Sequence, residues 1–264
     1  MIADPAEPRI LVFDSGLGGL SVLKELAAHL PHAAFTYVAD DAGFPYGGKE
    51  ERMLSRRVVN LMAELIEAHR PDLVVIACNT ASTLVLPHLR ARFAVPFVGT
   101  VPAIKPAAAQ TRSRMISVLA TPGTVRRDYT RALIDTYASH VQVALVGSTE
   151  LARLAEAHLN GEKVADEAIL AEIKPCFRQI RERRTDAVVL GCTHYPFLKS
   201  QFERLAPWPV NWIDPAPAIA RRAAQLVGAV KRPPRKAAGK VVFTSGKTPT
   251  GALGIMLDGF RLAG

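Results

Sequence analysis

Two of the three cysteines in this chain close the same kind of segment. Val74-Val75-Ile76-Ala77-Cys78-Asn79-Thr80 and Val188-Val189-Leu190-Gly191-Cys192-Thr193-His194 are both apolar runs that end in a thiol and pass into small polar residues. A thiol titrates near 8.5, so it serves as a general base or acid with little tuning. Two thiols at matched positions suit proton exchange at a carbon with two faces: one thiolate removes the proton and the opposite thiol returns one from the other side. The outcome is inversion of a stereocentre. A nucleophilic Cys/His hydrolase would use the same parts but gives no reason for the second cysteine.

Proton carriers and hydrogen-bond donors lie close by in the chain. Asp14, ahead of the turn Ser15-Gly16-Leu17-Gly18-Gly19, is a candidate partner for Cys78, and His194 for Cys192. As an isolated Asp before a helix, Asp14 would more simply be a cap. The glycines let the backbone approach a bound group, and the helix amides behind them favour a carboxylate. Asn79, Thr80, Thr193, Ser15 and the turn amides can stabilise a developing carbanion, although each alone could equally cap a helix. Tyr46, between Pro45 and Gly47-Gly48, sits in a glycine-rich loop of the kind that often binds ligands, yet alone it reads as loop packing.

The chain carries no P-loop, no pyridoxal-lysine pattern and no GxGxxG spacing, so no cofactor is expected. Cys78, Cys176, Cys192 and His194 lack the close CxxC pairing of structural zinc sites, and no metal is expected either. Cys176 reads as a small core residue. The net charge of +9 could attract nucleic acid, but without a binding motif or aromatic platform it reads as a solvated surface, partly from the run Lys231-Arg232-Pro233-Pro234-Arg235-Lys236. The same positive field suits an anionic metabolite.

These residues need strands to carry them. A short β-branched run followed by small polar residues argues for a buried parallel strand whose carboxyl end meets a loop, the edge where α/β sheets bind ligands. Cys192 lies 114 residues after Cys78, and at that offset Arg70 matches Arg184, Asp72 matches Asp186, Val74 matches Val188 and Val75 matches Val189. Upstream, Leu11-Val12-Phe13-Asp14-Ser15-Gly16 and Ile116-Ser117-Val118-Leu119-Ala120-Thr121 each enter a polar turn.

The fold expected is therefore α/β, with two similar halves of mainly parallel sheet related by a pseudo-twofold and a site in the cleft between them. The first domain would be discontinuous, 1–101 with 210–264, and the second 102–209. Apolar spacing predicts helices over 20–30, 50–69 and 81–93, and another filling much of 164–184, while 210–213 reads as a strand returning toward the first half. At 264 residues, two modest cores are expected rather than one. No window is long and apolar enough to span a membrane, the first eight residues lack the features of a signal peptide, and three unpaired cysteines fit a reducing compartment, so the cytoplasm is expected.

With these residues assembled, the chain resembles the cofactor-independent aspartate/glutamate racemase superfamily, and within it the glutamate racemase family. The resemblance covers nearly the whole chain. It rests on Phe13-Asp14-Ser15-Gly16-Leu17-Gly18-Gly19, Pro45-Tyr46-Gly47, Ala77-Cys78-Asn79-Thr80-Ala81 and Leu190-Gly191-Cys192-Thr193-His194-Tyr195-Pro196. It implies interconversion of L- and D-glutamate in the cytoplasm, supplying D-glutamate for peptidoglycan. Cys78 would act on the D-enantiomer and Cys192 on the L-enantiomer, assisted by Asp14 and His194. Substrate would meet Asp14, Ser15, Tyr46, Gly47, Asn79, Thr80, Thr193 and His194, with Thr121 and Thr124 beside them. The family's second-domain glutamate best matches Glu156, with Glu150 nearby. Members are often dimers, and some respond to a cell-wall precursor. The rivals are a racemase of another acidic amino acid such as aspartate, and a non-catalytic basic protein that binds DNA or a regulatory partner.

Overall fold

Strands form in this chain where β-branched residues run together, and the order in which they pair decides what their ends bring into contact. The computed structural model describes residues 7–228, 239–260 and 262–263; residues 1–6 and the basic run 231–236 lie outside these. The first part of the chain runs β1 (Arg9–Asp14), α1 (Leu20–His29), β2 (Ala34–Ala39), α2 (Glu51–His69), β3 (Leu73–Ile76), α3 (Asn79–Arg92) and β4 (Phe97–Gly99). It continues through α4 (Ile104–Gln110), β5 (Met115–Ala120), α5 (Pro122–Val125), α6 (Asp128–Tyr137), β6 (Gln142–Gly147), α7 (Leu151–Leu159) and α8 (Asp166–Ile173). The last part comprises β7 (Gln179–Ile180), β8 (Arg183–Arg184), β9 (Ala187–Gly191), α9 (Lys199–Leu205), β10 (Asn211–Ile213), α10 (Ala216–Val227), β11 (Gly239–Phe243), α11 (Gly251–Gly259) and β12 (Leu262–Ala263).

Two parallel sheets result, in the strand orders β12-β11-β2-β1-β3-β4 and β10-β9-β5-β6. Alternation splits each sheet between two cores. Ile10, Val12 and Val75 pack under α1 and α10 with Leu23, Leu26 and Ile219, whereas Leu11, Phe13 and Val74 pack under α2 and α3 with Val58, Met62 and Val85. In the second sheet Leu119, Val188 and Leu190 meet Leu151, Ile169 and Phe202, while Ile116, Val118 and Val189 meet Ile104 and Ala107. Helices on both faces explain why these strands are apolar throughout rather than alternating.

The duplication is visible in the register. β1 pairs with β3 so that Phe13 faces Ile76, and β5 pairs with β9 so that Leu119 faces Leu190. Each cysteine lies two residues beyond that rung. The expectation of two similar α/β halves with parallel sheets holds.

Two local expectations do not hold. The helix expected over much of 164–184 stops at Ile173; a 3-10 turn (Lys174–Cys176) follows, then the antiparallel hairpin β7–β8. Pro175 has no amide to continue the helix, and Arg181, at φ 54°, makes the hairpin turn. The strand expected to return toward the first half, β10, instead pairs with β9 at the rim of the second sheet. The crossing back falls after it, at Asp214-Pro215, where Asp214 Oδ1 accepts the Ala216 amide at 2.9 Å and α10 begins. Among the described residues no helix is long and apolar enough to cross a membrane.

Leu190 is fully buried in the strand that leads to Cys192. Leu190→Ala should lower the unfolding free energy by about 2–5 kcal/mol. Urea denaturation followed by circular dichroism measures this.

Candidate functional site

Cys78 occupies the N-cap of α3, with β-region backbone (φ −71°, ψ 120°), so its side chain stands beside amides that the helix leaves unpaired. Its Sγ donates to Ser15 Oγ at 3.8 Å. Burial, reinforced by the Asp14 carboxylate, pushes the Cys78 thiol well above its ordinary value, so the thiol is protonated near neutral pH. Asp14 ends β1 fully buried and does not cap α1, whose N-cap is Gly19. Its Oδ1 accepts the Gly16 amide at 2.9 Å and Ser15 Oγ at 3.4 Å, and its Oδ2 accepts Thr193 Oγ1 at 2.9 Å from the other sheet's end. Burial raises the Asp14 pKa, and His194, the Gly16 amide and the Thr193 hydroxyl pull it back.

On the facing side, Cys192 Sγ lies 3.7 Å from His194 Nδ1, and His194 Nε2 lies 2.8 Å from Glu156 Oε1. Glu156 comes from α7 and also accepts the Leu17 amide at 2.5 Å, so it bridges the two halves. The Gly18 amide approaches Nε2 to 3.2 Å. One ring nitrogen cannot donate to a carboxylate and accept from an amide along the same direction; the shorter, charge-assisted bond fixes Nε2–H toward Glu156. Burial alone would discharge His194, but its contacts with Cys192 and Glu156 raise its pKa well above the ordinary value, and the paired carboxyl of Glu156 is held low despite its own burial. The imidazolium thus presents Nδ1–H to the Cys192 sulfur. Any side chain at position 18 would intrude on this ring, a Cβ there falling 2.6 Å from His194 Cε1. Glu150, the other candidate glutamate, is exposed and pairs with Arg153.

Both cysteines are buried at their strand ends. Around them, Thr80 Oγ1 of α3 meets Thr121 Oγ1 at 2.8 Å and Thr124 Oγ1 at 3.4 Å, three hydroxyls from both halves. The Gly123 amide donates to the Gly47 carbonyl at 3.0 Å, and a Cβ on Gly47 would fall 2.8 Å from Thr121 Cβ. Asn79 is buried with both side-chain polar atoms unpartnered, an arrangement that calls for a polar ligand. The Tyr46 hydroxyl turns away from this cluster and donates to Asp40.

Of the residues singled out from sequence, Asp14, Ser15, Cys78, Cys192, Thr193, His194 and Glu156 are linked in one run of contacts, Thr80, Thr121 and Thr124 meet one another with Gly47 beside Thr121, the Tyr46 hydroxyl goes to Asp40, and Glu150 stands apart. Sequence reasoning missed Tyr37, whose hydroxyl donates to the Gly16 carbonyl at 2.6 Å, and Ser21, which donates to the Thr193 carbonyl at 2.9 Å. It also missed Phe44, whose ring lies 5.5 Å from His194, and the ion pair of Glu51 with Arg127 across the rim. Only Phe44, inside the glycine-rich loop already noted, carried a signal. A separate cavity of about 700 Å³, lined by Arg90, Lys105, Tyr129 and Arg222 among others, shares no residue with this cluster. Among the described residues no group of three or more His, Cys, Asp or Glu side chains is placed to hold a metal ion.

The chain belongs to the Asp/Glu/Hydantoin racemase family, whose profile matches residues 18–223. It is 57% identical over 255 residues to the glutamate racemase of Sinorhizobium fredii, covering 96% of this chain and 95% of that one. With the glutamate racemase of Agrobacterium fabrum it shares 56% over 267 residues, 99% and 96% of the two chains. The crystal structure of Escherichia coli glutamate racemase, in complex with L-glutamate and the activator UDP-MurNAc-Ala, matches with a TM-score of 0.88 at 39% identity over 97% of both chains. Within the family this chain stands with the glutamate racemases, and it is an isomerase of the amino-acid racemase type.

The Glu156–His194 pair has a pH signature. Its His194 part, with a raised folded-state pKa, stabilises fully below about 6.5 and is lost as pH rises through that raised value; its Glu156 part, with a lowered one, stabilises above about 4.3 and is lost as pH falls. The bonus is therefore greatest between those limits. Glu156→Gln should lower the His194 titration midpoint, followed by NMR of the imidazole. An unmoved midpoint would sink the pairing.

Proposed function

We propose that this chain interconverts L- and D-glutamate by a cofactor-independent, two-base proton transfer. The observation that carries the reading is the placement of Cys78 and Cys192 two residues beyond matched rungs of two duplicated strand pairs, with the strand ends joined across the cleft by Asp14–Thr193 and Glu156–Leu17. The relatives' names and the L-glutamate in the E. coli structure supply the substrate.

In the L-to-D direction, the Cys192 thiolate takes the α-proton and becomes a thiol, while the Cys78 thiol protonates the opposite face of the carbanion and becomes a thiolate. In the D-to-L direction the roles exchange. His194, held by Glu156, carries charge and proton at Cys192, and Asp14 with Ser15 does so at Cys78. The substrate keeps its ammonium, and hydrogen bonds from Ser15, Asn79, Thr80, Thr121, Thr124, Thr193, His194 and the backbone at Tyr46-Gly47 hold its carboxylates and stabilise the carbanion. Asn79 and the first amides of α3 are the groups most in want of such a partner. Aligned donors in a site this dry act more strongly than they would in water.

On this reading the cleft separates one domain, residues up to about 101 together with those after β10, from a second domain between them. The enzyme works in the cytoplasm as a homodimer and supplies D-glutamate for peptidoglycan, a role that accords with the UDP-MurNAc-Ala activator of the E. coli relative.

The test is racemisation in D₂O by the parent, Cys78→Ser and Cys192→Ser, with glutamate and aspartate compared as substrates. Either substitution should nearly abolish turnover of glutamate, and the parent should act on glutamate in preference to aspartate. A double Cys→Ser variant that kept parent activity would refute the mechanism, and preference for aspartate would refute the substrate.

A further inference from the structure

Asp40 follows β2 and is fully buried, yet none of its side-chain hydrogen bonds runs to the cysteines or to the polar cluster around them. Oδ2 accepts the Tyr46 hydroxyl and Arg57 Nε at 2.6 Å; Oδ1 accepts the Arg57 terminal nitrogen at 2.5 Å and Thr244 Oγ1 at 2.6 Å. Three separate parts of the chain thus converge on one carboxylate: α2 through Arg57, the end of β11 through Thr244, and the loop itself through Tyr46. Thr244 also receives the Ala42 amide at 3.2 Å, and the Ser245 amide donates to Asp41 Oδ1 at 2.9 Å, so the base of the loop is laced to the last long strand.

What the loop carries explains why it should be held. Between Asp40 and Gly47 it presents Phe44 to the His194 ring on one side and the Gly47 carbonyl to the Gly123 amide, beside Thr121, on the other. The Asp40–Tyr46 bond closes this segment into a clasp that meets the second half at two points, the His194 ring and the turn at Thr121 and Gly123. A flexible loop of this kind would leave both contacts to chance, and a misplacement of about 1 Å in a positioning element can cost on the order of 100-fold in rate.

We infer that Asp40 is a positioning residue for racemisation, acting through Tyr46 and anchored by Arg57 and Thr244, which together hold the Phe44–Gly47 loop against His194 and Thr121. The inference rests on the racemase reading above. Burial alone would raise the Asp40 pKa, but its bonds to Arg57, Thr244 and Tyr46 hold it low, so the clasp is charged throughout the working pH range.

Asp40→Asn keeps the shape and removes the charge; Tyr46→Phe removes one oxygen and keeps the ring. Enantiomers have equal free energies, so kcat/KM must fall by the same factor in both directions, while kcat and KM separately are free to divide. Each variant should raise KM for both enantiomers and lower kcat/KM by about 10-fold or more, and the double variant should lose no more than the worse single one, since both break the same bond. A merely structural defect would instead lower the active fraction, reducing kcat and leaving KM unchanged. Should Asp40→Asn fail to fold by circular dichroism, Tyr46→Phe decides. Parent KM values in folded Tyr46→Phe, or losses that multiply in the double variant, would overturn the inference. A parent chain that does not turn over glutamate would overturn the proposed function and this inference with it, whereas an active parent with unaltered variants overturns the positioning role alone.

Discussion

A carboxylate with no exposure to water is the constraint around which the cleft is built. Burying the charge of Asp14 would cost several kcal/mol without compensation, and among the described residues no lysine or arginine hydrogen-bonds to it. The compensation is assembled from the Gly16 amide, the Ser15 hydroxyl, the Thr193 hydroxyl and the field of the His194 imidazolium. Two of those four come from the end of the second sheet. Separating the sheet ends would strip those two away and admit water, so the protonation of Asp14 is coupled to the contact between the sheet ends.

The other bonds across the cleft follow the same logic with shorter side chains. Hydroxyls meet hydroxyls at Thr80, Thr121 and Thr124; backbone meets backbone at Gly123 and Gly47; the Glu156 carboxylate crosses to the Leu17 amide. The neutral bonds are each worth about 0.5–1.5 kcal/mol net and the one to the Glu156 carboxylate about 1.5–3 kcal/mol, and each is replaced by water when broken. A joint made of many small exchanges can open without a large barrier, which a site sealed by packed side chains could not do. The ion pair of Glu51 with Arg127 at the rim fits the same pattern, since it joins the start of α2 to the segment before α6 through groups that water solvates well when apart.

How much of this could be read from sequence depended on whether the signal was local. The two cysteine strands were legible because β-branched runs ending in small polar residues mark both the strand and its functional end, and because the motif occurs twice. Glu156 was legible only as one of two nearby glutamates; α7 starts at Leu151, and that start decides which of them turns inward. The partner of β10 was not legible, because a three-residue strand carries no mark of the sheet it joins, and its register on β9 is settled by the packing of Trp212 and Ile213 into the second sheet's cores. The β7–β8 hairpin escaped for the opposite reason: its exposed Gln, Ile and Arg residues show no alternation, although Pro175 did mark where the helix must end. The Asp40 clasp joins residues 6, 17 and 204 positions away, and no spacing rule connects those.

The two halves repeat in their backbones but differ in what they place beside each sulfur, and that difference bears on the proposed chemistry. Cys78 faces a carboxylate and a hydroxyl, surroundings that favour the neutral thiol; Cys192 faces an imidazolium, a charge that complements a sulfur anion. A symmetric pair could share one proton, since two like charges resist ionising together, but would hold it on either sulfur equally. On the proposed two-base reading, the asymmetry favours acid at Cys78 and base at Cys192, the arrangement the L-to-D direction needs; the D-to-L direction needs the protons exchanged. On the same reading each turnover leaves the protons on the wrong sulfurs for a second substrate of the same hand, and Asp14 and the Glu156–His194 pair are the groups placed to return them. Duplication of the fold thus supplies the two positions, and divergence of the neighbouring side chains gives the pair its direction.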